Sequence, residues 1–334
     1  MKRNKNTLVR LGAIFLALIF ATGFVSCAST SVETSGKESE KFPKLKEGKS
    51  PYYDKFVEKF QANPDDESIG EILKNWKASS PDGDYYKSGF SFFYNGAVQP
   101  GDYTSLSFPD NIAYVEYPEN QDILIYRDCL LSKQGMEMAT SFLEKGVKKY
   151  PNRIDLWDVL LTINRQYSFY GDLKDALLDF IDVSYKIDKD LDVWYADFNT
   201  MVVLPSFQEQ DSVTRDMIFK NASAIIDLYP EENSLKYYEE IFTKLAKLYP
   251  DDSVIFGELG YVLMFSDLQS SITYLEKAYE LDNGNGNALL NLIICLYATN
   301  NTEKAKYYSE VIYNSGNANL IKALDNNLQA LGVK

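Results

Sequence analysis

Beyond residue 50, apolar residues recur three and four positions apart in short blocks that polar turns interrupt. That is the periodicity of helices buried on one side. The clearest blocks lie late in the chain. Ser271 opens SITYLEKAYELDN, and Ala305 opens AKYYSEVIYNSGN 34 residues later, with Ala278 and Ile312 in matching places. Each is preceded by another apolar block, GELGYVLMF (Gly257–Phe265) and LLNLIICLY (Leu289–Tyr297), and the turns SDLQ and ATNNTEK separate the members of each pair. A fixed period of this length marks a helical hairpin that cannot bury its apolar face alone and therefore stacks on its neighbours.

A 34-residue helix-turn-helix unit with a small residue early in its second helix resembles the tetratricopeptide repeat. Leu259-Gly260 fits the Leu-Gly of that family's first helix, and Ala278 fits its later small position. Tyr167-Ser168-Phe169-Tyr170 followed by Gly171-Asp172-Leu173-Lys174-Asp175-Ala176 is the best single match. There the resemblance makes Gly171-Asp172 the turn that ends the first helix. Ala176 is then the small contact residue and Phe180 the large aromatic.

Working outward, ATSFLEKGVKKYPN from Ala139 reads as another second helix, with Ile123–Leu131 as its first. Met217–Leu228 and Leu235–Leu248 form a looser unit whose elbow is Pro230-Glu231-Glu232-Asn233 and in which Tyr238 replaces the small residue. The corresponding positions Ala139, Ala176, Tyr238, Ser271 and Ala305 are spaced by 37, 62, 33 and 34 residues. The long interval implies an insertion, and Asp190–Gln210, with Pro205 and no helical period, is read as an irregular loop. Leu320, Ile321, Leu324, Leu328 and Leu331 form a one-sided stripe suited to capping the stack.

Residues 51–119 are less regular. Tyr53–Gln61, Ile69–Ala78 and Tyr85–Tyr94 read as helices, and Tyr103–Phe108 with Ile112–Tyr117, joined by Pro109-Asp110-Asn111, as a β-hairpin. The first 27 residues, MKRNKNTLVRLGAIFLALIFATGFVSC, have a basic start and an apolar run from Leu11 to Val25, too short for a membrane span and suited to a secretory signal. Phe24-Val25-Ser26-Cys27 resembles a bacterial lipobox, with Phe24 where leucine is usual. That resemblance implies cleavage before Cys27 and lipid on its sulfur. The polar stretch after it reads as a flexible tether.

The expected fold class is therefore all-α, a tetratricopeptide-like helical-hairpin solenoid with a small β-hairpin towards the N-terminal side. The expected divisions are a signal segment 1–26, a tether 27–50, an N-terminal helical region 51–119, repeats 120–190, an insertion 191–212, repeats 213–319 and a capping helix 320–334.

Composition narrows the function. The chain has 334 residues and a formal charge of −14, which argues against nucleic acid, because phosphate binding depends on Lys and Arg releasing counterions. It has no histidine, which removes the commonest general base and every imidazole ligand. Cys129 and Cys295 lie in apolar blocks without CxxC spacing and read as buried thiols. Asp188-Lys189-Asp190-Leu191-Asp192 opens like an EF-hand loop, but Val193 and Asn199 stand where glycine and glutamate are needed. Asp282–Asn287 reads as a turn between repeats, and no phosphate-cradling or nucleophile-elbow motif occurs. No cofactor, metal or enzymatic activity is expected; a carboxylate pair acting on glycosides is a catalytic scheme that needs none of the missing residues.

In the tetratricopeptide family the first helices line a groove that binds peptides. That resemblance implies a partner-binding set of Asp128, Arg165, Phe169, Tyr261, Phe265 and Tyr297. The expected protein is a lipid-anchored scaffold of the cell envelope with a protein or peptide partner, held to the membrane through Cys27. The alternative is a lipid-anchored binder of a small molecule or glycan in an aromatic groove.

Overall fold

The computed structural model describes residues 50–106, 114–190, 193–197, 200–209, 211–228 and 232–333. The expected signal segment, Cys27, nearly all of the expected tether and Pro230-Glu231 of the expected elbow lie outside the described residues, while Glu232 and Asn233 of that elbow already belong to a helix. Thirteen helices run through the described chain: α1 (Pro51–Ala62), α2 (Ser68–Ser79), α3 (Gly83–Ala97), α4 (Lys133–Lys149), α5 (Ile154–Gln166), α6 (Tyr170–Asp190), α7 (Val213–Leu228), α8 (Glu232–Leu248), α9 (Ser253–Leu263), α10 (Leu268–Leu281), α11 (Gly286–Ala298), α12 (Thr302–Asn314) and α13 (Ala318–Ala330). Short side chains start many of them. Asp82, Ser132, Asp252, Asp267, Asn285 and Asn317 each accept a hydrogen bond from a backbone N–H in the first turn of α3, α4, α9, α10, α11 and α13. Each such cap is worth about 1 kcal/mol.

The described residues form two compact units, one drawn from Met1–Phe169 with Asp182–Met217 and the other from Tyr170–Ile181 with Ile218–Lys334. In the first, α1 packs on α2, α2 on α3, α3 on α4 and α4 on α5. Its aromatic core holds Phe56, Phe60, Ile69, Leu73, Trp76 and Tyr85. Strands β1 (Val98–Pro100), β2 (Val115–Tyr117), β3 (Asn120–Ile125) and β4 (Cys129–Ser132) make an antiparallel sheet in the order β1-β4-β3-β2.

This sheet corrects two expectations. Ile123–Leu131 is not a first helix: Ile125 pairs with Leu130 and Leu124 with Leu131, across a turn at Arg127-Asp128. A short apolar run lacks the length to separate strand from helix by period, and its isoleucines and tyrosine favour the pleated form. The expected hairpin is also displaced. Tyr103–Leu106 is a turn, 107–113 lie outside the described residues, and Val115–Tyr117 pairs instead with β3. The insertion after α6 carries a two-stranded piece, β5 (Trp194–Tyr195) against β6 (Met201–Val202).

In the second unit α8 packs on α9, α9 on α10, α10 on α11, and α11 on both α12 and α13. One core cluster includes Phe256, Leu275, Ala278, Leu292, Cys295 and Ala305, and another joins Leu289, Ile293, Ile312, Leu324 and Leu328. Helix α13 buries Leu324 and Leu328 while Lys322, Asn326 and Gln329 face solvent.

Two elbows show the repeat in backbone form. After α5, Tyr167 N–H donates to Ile163 O, Ser168 N–H to Arg165 O and Phe169 N–H to Asn164 O; after α11, Thr299, Asn300 and Asn301 donate to Cys295, Tyr297 and Leu296. Ser168 and Asn300 hold φ of 58° and 60°, the left-handed position that closes a helix. The elbow therefore lies at Tyr167–Phe169, and Gly171-Asp172 belong to the first turn of α6, a shift of a few residues from the expected place. Gly171 is helical, and Ser168 takes the left-handed role expected of a glycine.

Helix pairs close where side chains are small. A Cβ on Gly260 would lie 2.5 Å from Leu275 Cγ on the facing helix, whereas one on Gly70 would meet nothing within 4 Å. Gly260→Ala is expected to lower unfolding free energy by about 1–3 kcal/mol through overpacking. Gly70→Ala should raise it by about 0.5–1 kcal/mol through helix propensity. Urea denaturation of the two variants checks the pair of signs.

Candidate functional site

Three constellations stand out, and two of them are closed. Arg153 precedes α5 and is 0% exposed. Its Nε and Nη2 donate to Asp155 at 2.7 and 2.8 Å, and Nη2 also donates to Asp84 at 2.9 Å. Lys87 Nζ donates to Asp155 at 3.0 Å. Gly83 leaves the space the guanidinium needs, since a Cβ there would stand 2.3 Å from Nη1. Burial pushes Asp84 upward from the ordinary carboxylate range, with Arg153 opposing. Burial also acts against the Asp155 carboxylate, but Lys87 and Arg153 together hold it below its ordinary value.

Two carboxylates share one guanidinium here, both buried and bound to cations, whereas a glycoside-cleaving pair must flank its substrate. The cluster joins α3 to α5. Its sequence signal is Arg153-Ile154-Asp155 at a helix start, which apolar periodicity does not register.

The second constellation is aromatic. Tyr94 and Tyr167 share a hydroxyl–hydroxyl hydrogen bond of 2.7 Å, and Tyr126 OH donates to Tyr167 O at 2.6 Å. Burial pushes Tyr94 up to about 12, with the Tyr167 bond opposing. Cys129 is likewise pushed up to about 12, first by burial and then by Asp128. A thiol so placed stays protonated and is a poor nucleophile. Cys295 is buried too, with its Sγ 3.4 Å from Ser271 Oγ.

The third is open. Val254, Glu258, Tyr261 and Phe265 follow one another at helical spacing along α9 and just beyond its end, between the buried positions 253, 255, 256, 259, 260, 262 and 263. Phe265 is 60% exposed and meets Tyr261 edge to face at 5.6 Å. Glu258 accepts a hydrogen bond of 2.6 Å from Tyr238 of α8, which fixes the carboxylate beside the aromatic pair.

The six positions proposed from sequence do not form one group. Asp128, Arg165 and Phe169 belong to the first unit; Tyr261, Phe265 and Tyr297 belong to the second. Asp128 is exposed in the β3–β4 turn and lies on no helix. Arg165 is half-buried in the last turn of α5, its pKa lowered by burial against the opposing pull of Asp158. Phe169 packs 6.2 Å from Tyr167, ring to ring. Tyr297 packs between the two core clusters of its unit. Tyr261 and Phe265 are the two that the structure brings into contact, and Val254 and Glu258 complete their stripe without having been singled out.

Residues 262–306, from the end of α9 to the start of α12, match the tetratricopeptide repeat family. Among curated proteins none matches the chain. Solved structures similar to it include YrrB, described as a tetratricopeptide repeat protein with an unusual peptide-binding site. YrrB shares 14% identity over 58% of this chain and 84% of its own, at a TM-score of 0.35. PilF of Pseudomonas aeruginosa shares 11% over 84% and 95%, at 0.33. A thermophilic tetratricopeptide repeat protein of Thermus thermophilus shares 9% over 59% and 93%, also at 0.33. Scores this low support no residue-by-residue comparison. The matched segment and its helical pairs are tetratricopeptide-like on their own geometry.

Asp155 gives a pH test of the closed cluster. A carboxylate whose folded pKa is depressed contributes stability that is present above its unfolded pKa and lost as pH falls through the folded value. Asp84, shifted upward, acts in the opposite sense. Asp155→Asn is expected to cost about 3 kcal/mol at pH 7, and the difference from wild type should shrink as pH falls below the ordinary carboxylate range. Chemical denaturation at a series of pH values measures both.

Proposed function

We propose that this chain is a non-catalytic protein–protein interaction scaffold, held in the cell envelope by lipid on Cys27. The observation that carries the reading is the Tyr261–Phe265 pair. A phenylalanine left 60% exposed beside a half-buried tyrosine, on a helix whose other side is fully packed, offers the aromatic contact on which interface energy concentrates. It lies where the chain enters the segment matching the tetratricopeptide repeat family. The anchor reading rests on the signal-like start and on Phe24-Val25-Ser26-Cys27, and two acyl chains on that residue suffice for stable attachment.

A small-molecule or glycan binder would favour an aromatic, enclosed site. One open space among the described residues, between α6 and α8, is lined by Leu178, Lys236, Glu239, Glu240, Thr243, Lys244 and Lys247, without an aromatic ring.

Crosslinking in intact cells, followed by capture of the tagged chain and mass spectrometry, tests the scaffold reading. One recurrent envelope protein is expected. Phe265→Ala should reduce its recovery about tenfold or more, as loss of an aromatic anchor does, while changing unfolding free energy by no more than about 0.5 kcal/mol, as befits an exposed position. Equal recovery with the Phe265→Ala and Tyr261→Ala variants would remove this face from the interaction.

A further inference from the structure

The open stripe of α9 lies in a one-sided electrostatic setting. Between Lys247 and Lys304 the chain holds eight carboxylates and a single base, Lys277. The Lys277 ammonium stands 3.8 Å from the ring centre of Phe256, which is buried on the packed side of α9. Helix α11, which packs against α9, carries no charged residue. The three lysines of α8, Lys236, Lys244 and Lys247, line the open space towards α6.

Three of the carboxylates bracket the stripe. Asp252 caps α9 two residues before Val254, Glu258 stands midway, and Asp267 follows Phe265 by two residues. The Ser270 hydroxyl and N–H hold Asp267 below the usual carboxylate range, so it is ionised at neutral pH.

The aromatic pair adds a second property. A ring presents negative potential on its face, and a guanidinium within about 6 Å of the ring centre is attracted to it. Phe265 is exposed and Tyr261 half-buried. Glu258 lies one turn before Tyr261, and a carboxylate can accept several hydrogen bonds beside the one from Tyr238. From Val254 to Phe265 the stripe runs about 16 Å at the helical rise. That is room for about five residues of an extended segment.

We infer that the partner presents a basic segment to this face, with an arginine whose guanidinium meets the Glu258 carboxylate and stacks on the Tyr261–Phe265 rings. Apolar residues flanking the arginine cover Val254 and Phe265. The inference rests on the scaffold reading above and gives its partner a chemistry. Complementary charge orients the approach, and the aromatic contact holds what has arrived. Arginine is specified over lysine because its planar, weakly hydrated fork stacks on a ring and binds a carboxylate together.

The test selects peptides from a phage-displayed library of random sequences on the full chain in nonionic detergent, with Phe265→Ala for counter-selection. Peptides that need Phe265 are expected to carry arginine beside an apolar residue. Synthetic copies with citrulline in place of arginine keep the shape and lose the charge. They should bind wild type about tenfold more weakly, and the difference should largely disappear on Glu258→Gln. Glutamine keeps an oxygen for Tyr238, so the circular dichroism melt should not move. Added salt should weaken the arginine peptide and leave its citrulline copy unchanged.

Peptides that need Phe265 but hold no basic residue overturn the inference and leave the scaffold reading standing. A citrulline copy that binds as well as the arginine peptide does the same. If no peptide needs Phe265, the face itself is removed from the interaction and the inference falls with it. Sedimentation of the chain without peptide covers the remaining occupant. Self-association that Phe265→Ala abolishes would assign the face to a second copy and overturn the inference.

Discussion

Close approach of helix backbones is the constraint on which the second unit depends. Gly260 lies against Leu275, Ala278 and Ala305 are fully buried, and Ser271 donates its hydroxyl to Gly260 O at 2.7 Å. None of these positions admits a larger side chain without separating two helices, and separated helices lose dispersion contacts along their whole length. The same economy recurs at the other end of the same pair, where Ser253 donates to Ala278 O and receives a hydrogen bond from Asn285. One asparagine thereby caps α11 and ties it to the start of α9. Small residues set the distance, and short polar ones fix the register.

The first unit solves the same packing problem with different chemistry. Its interior carries a salt-bridged arginine and packed aromatic rings, with Trp76 stacked on Tyr52 and edge to face with Tyr85. Burying a guanidinium and two carboxylates costs desolvation energy that good geometry only offsets. The gain lies in specificity, because Arg153 satisfies Asp84 and Asp155 in one arrangement of α3 against α5 and in few others.

Periodicity made the helical pairs of the second unit legible, since α9 to α12 each have one strongly apolar side and polar turns at the expected interval. It failed at Ile123–Leu131, where apolar residues fall on both faces and the deciding contacts come from β1, distant in sequence, and from β2, which turns straight back onto β3. It placed the elbow after α5 too late because glycine is the usual left-handed residue, whereas here Ser168 holds that conformation. The aromatic pair Tyr261–Phe265 was visible because the two residues lie one turn apart in sequence, at the end of α9 and just beyond it. Arg153 and its carboxylates were not, because Asp84 is 69 residues away from it.

Helix α13 presents Leu324 and Leu328 to the stack and Lys322, Asn326 and Gln329 to water. Repeat architectures grow by adding like to like, so a bare apolar end invites another molecule to dock and then another after it. A lysine and two amides facing outward remove that invitation. Copies of the chain then meet this helix as a polar face rather than as an apolar end on which to polymerise.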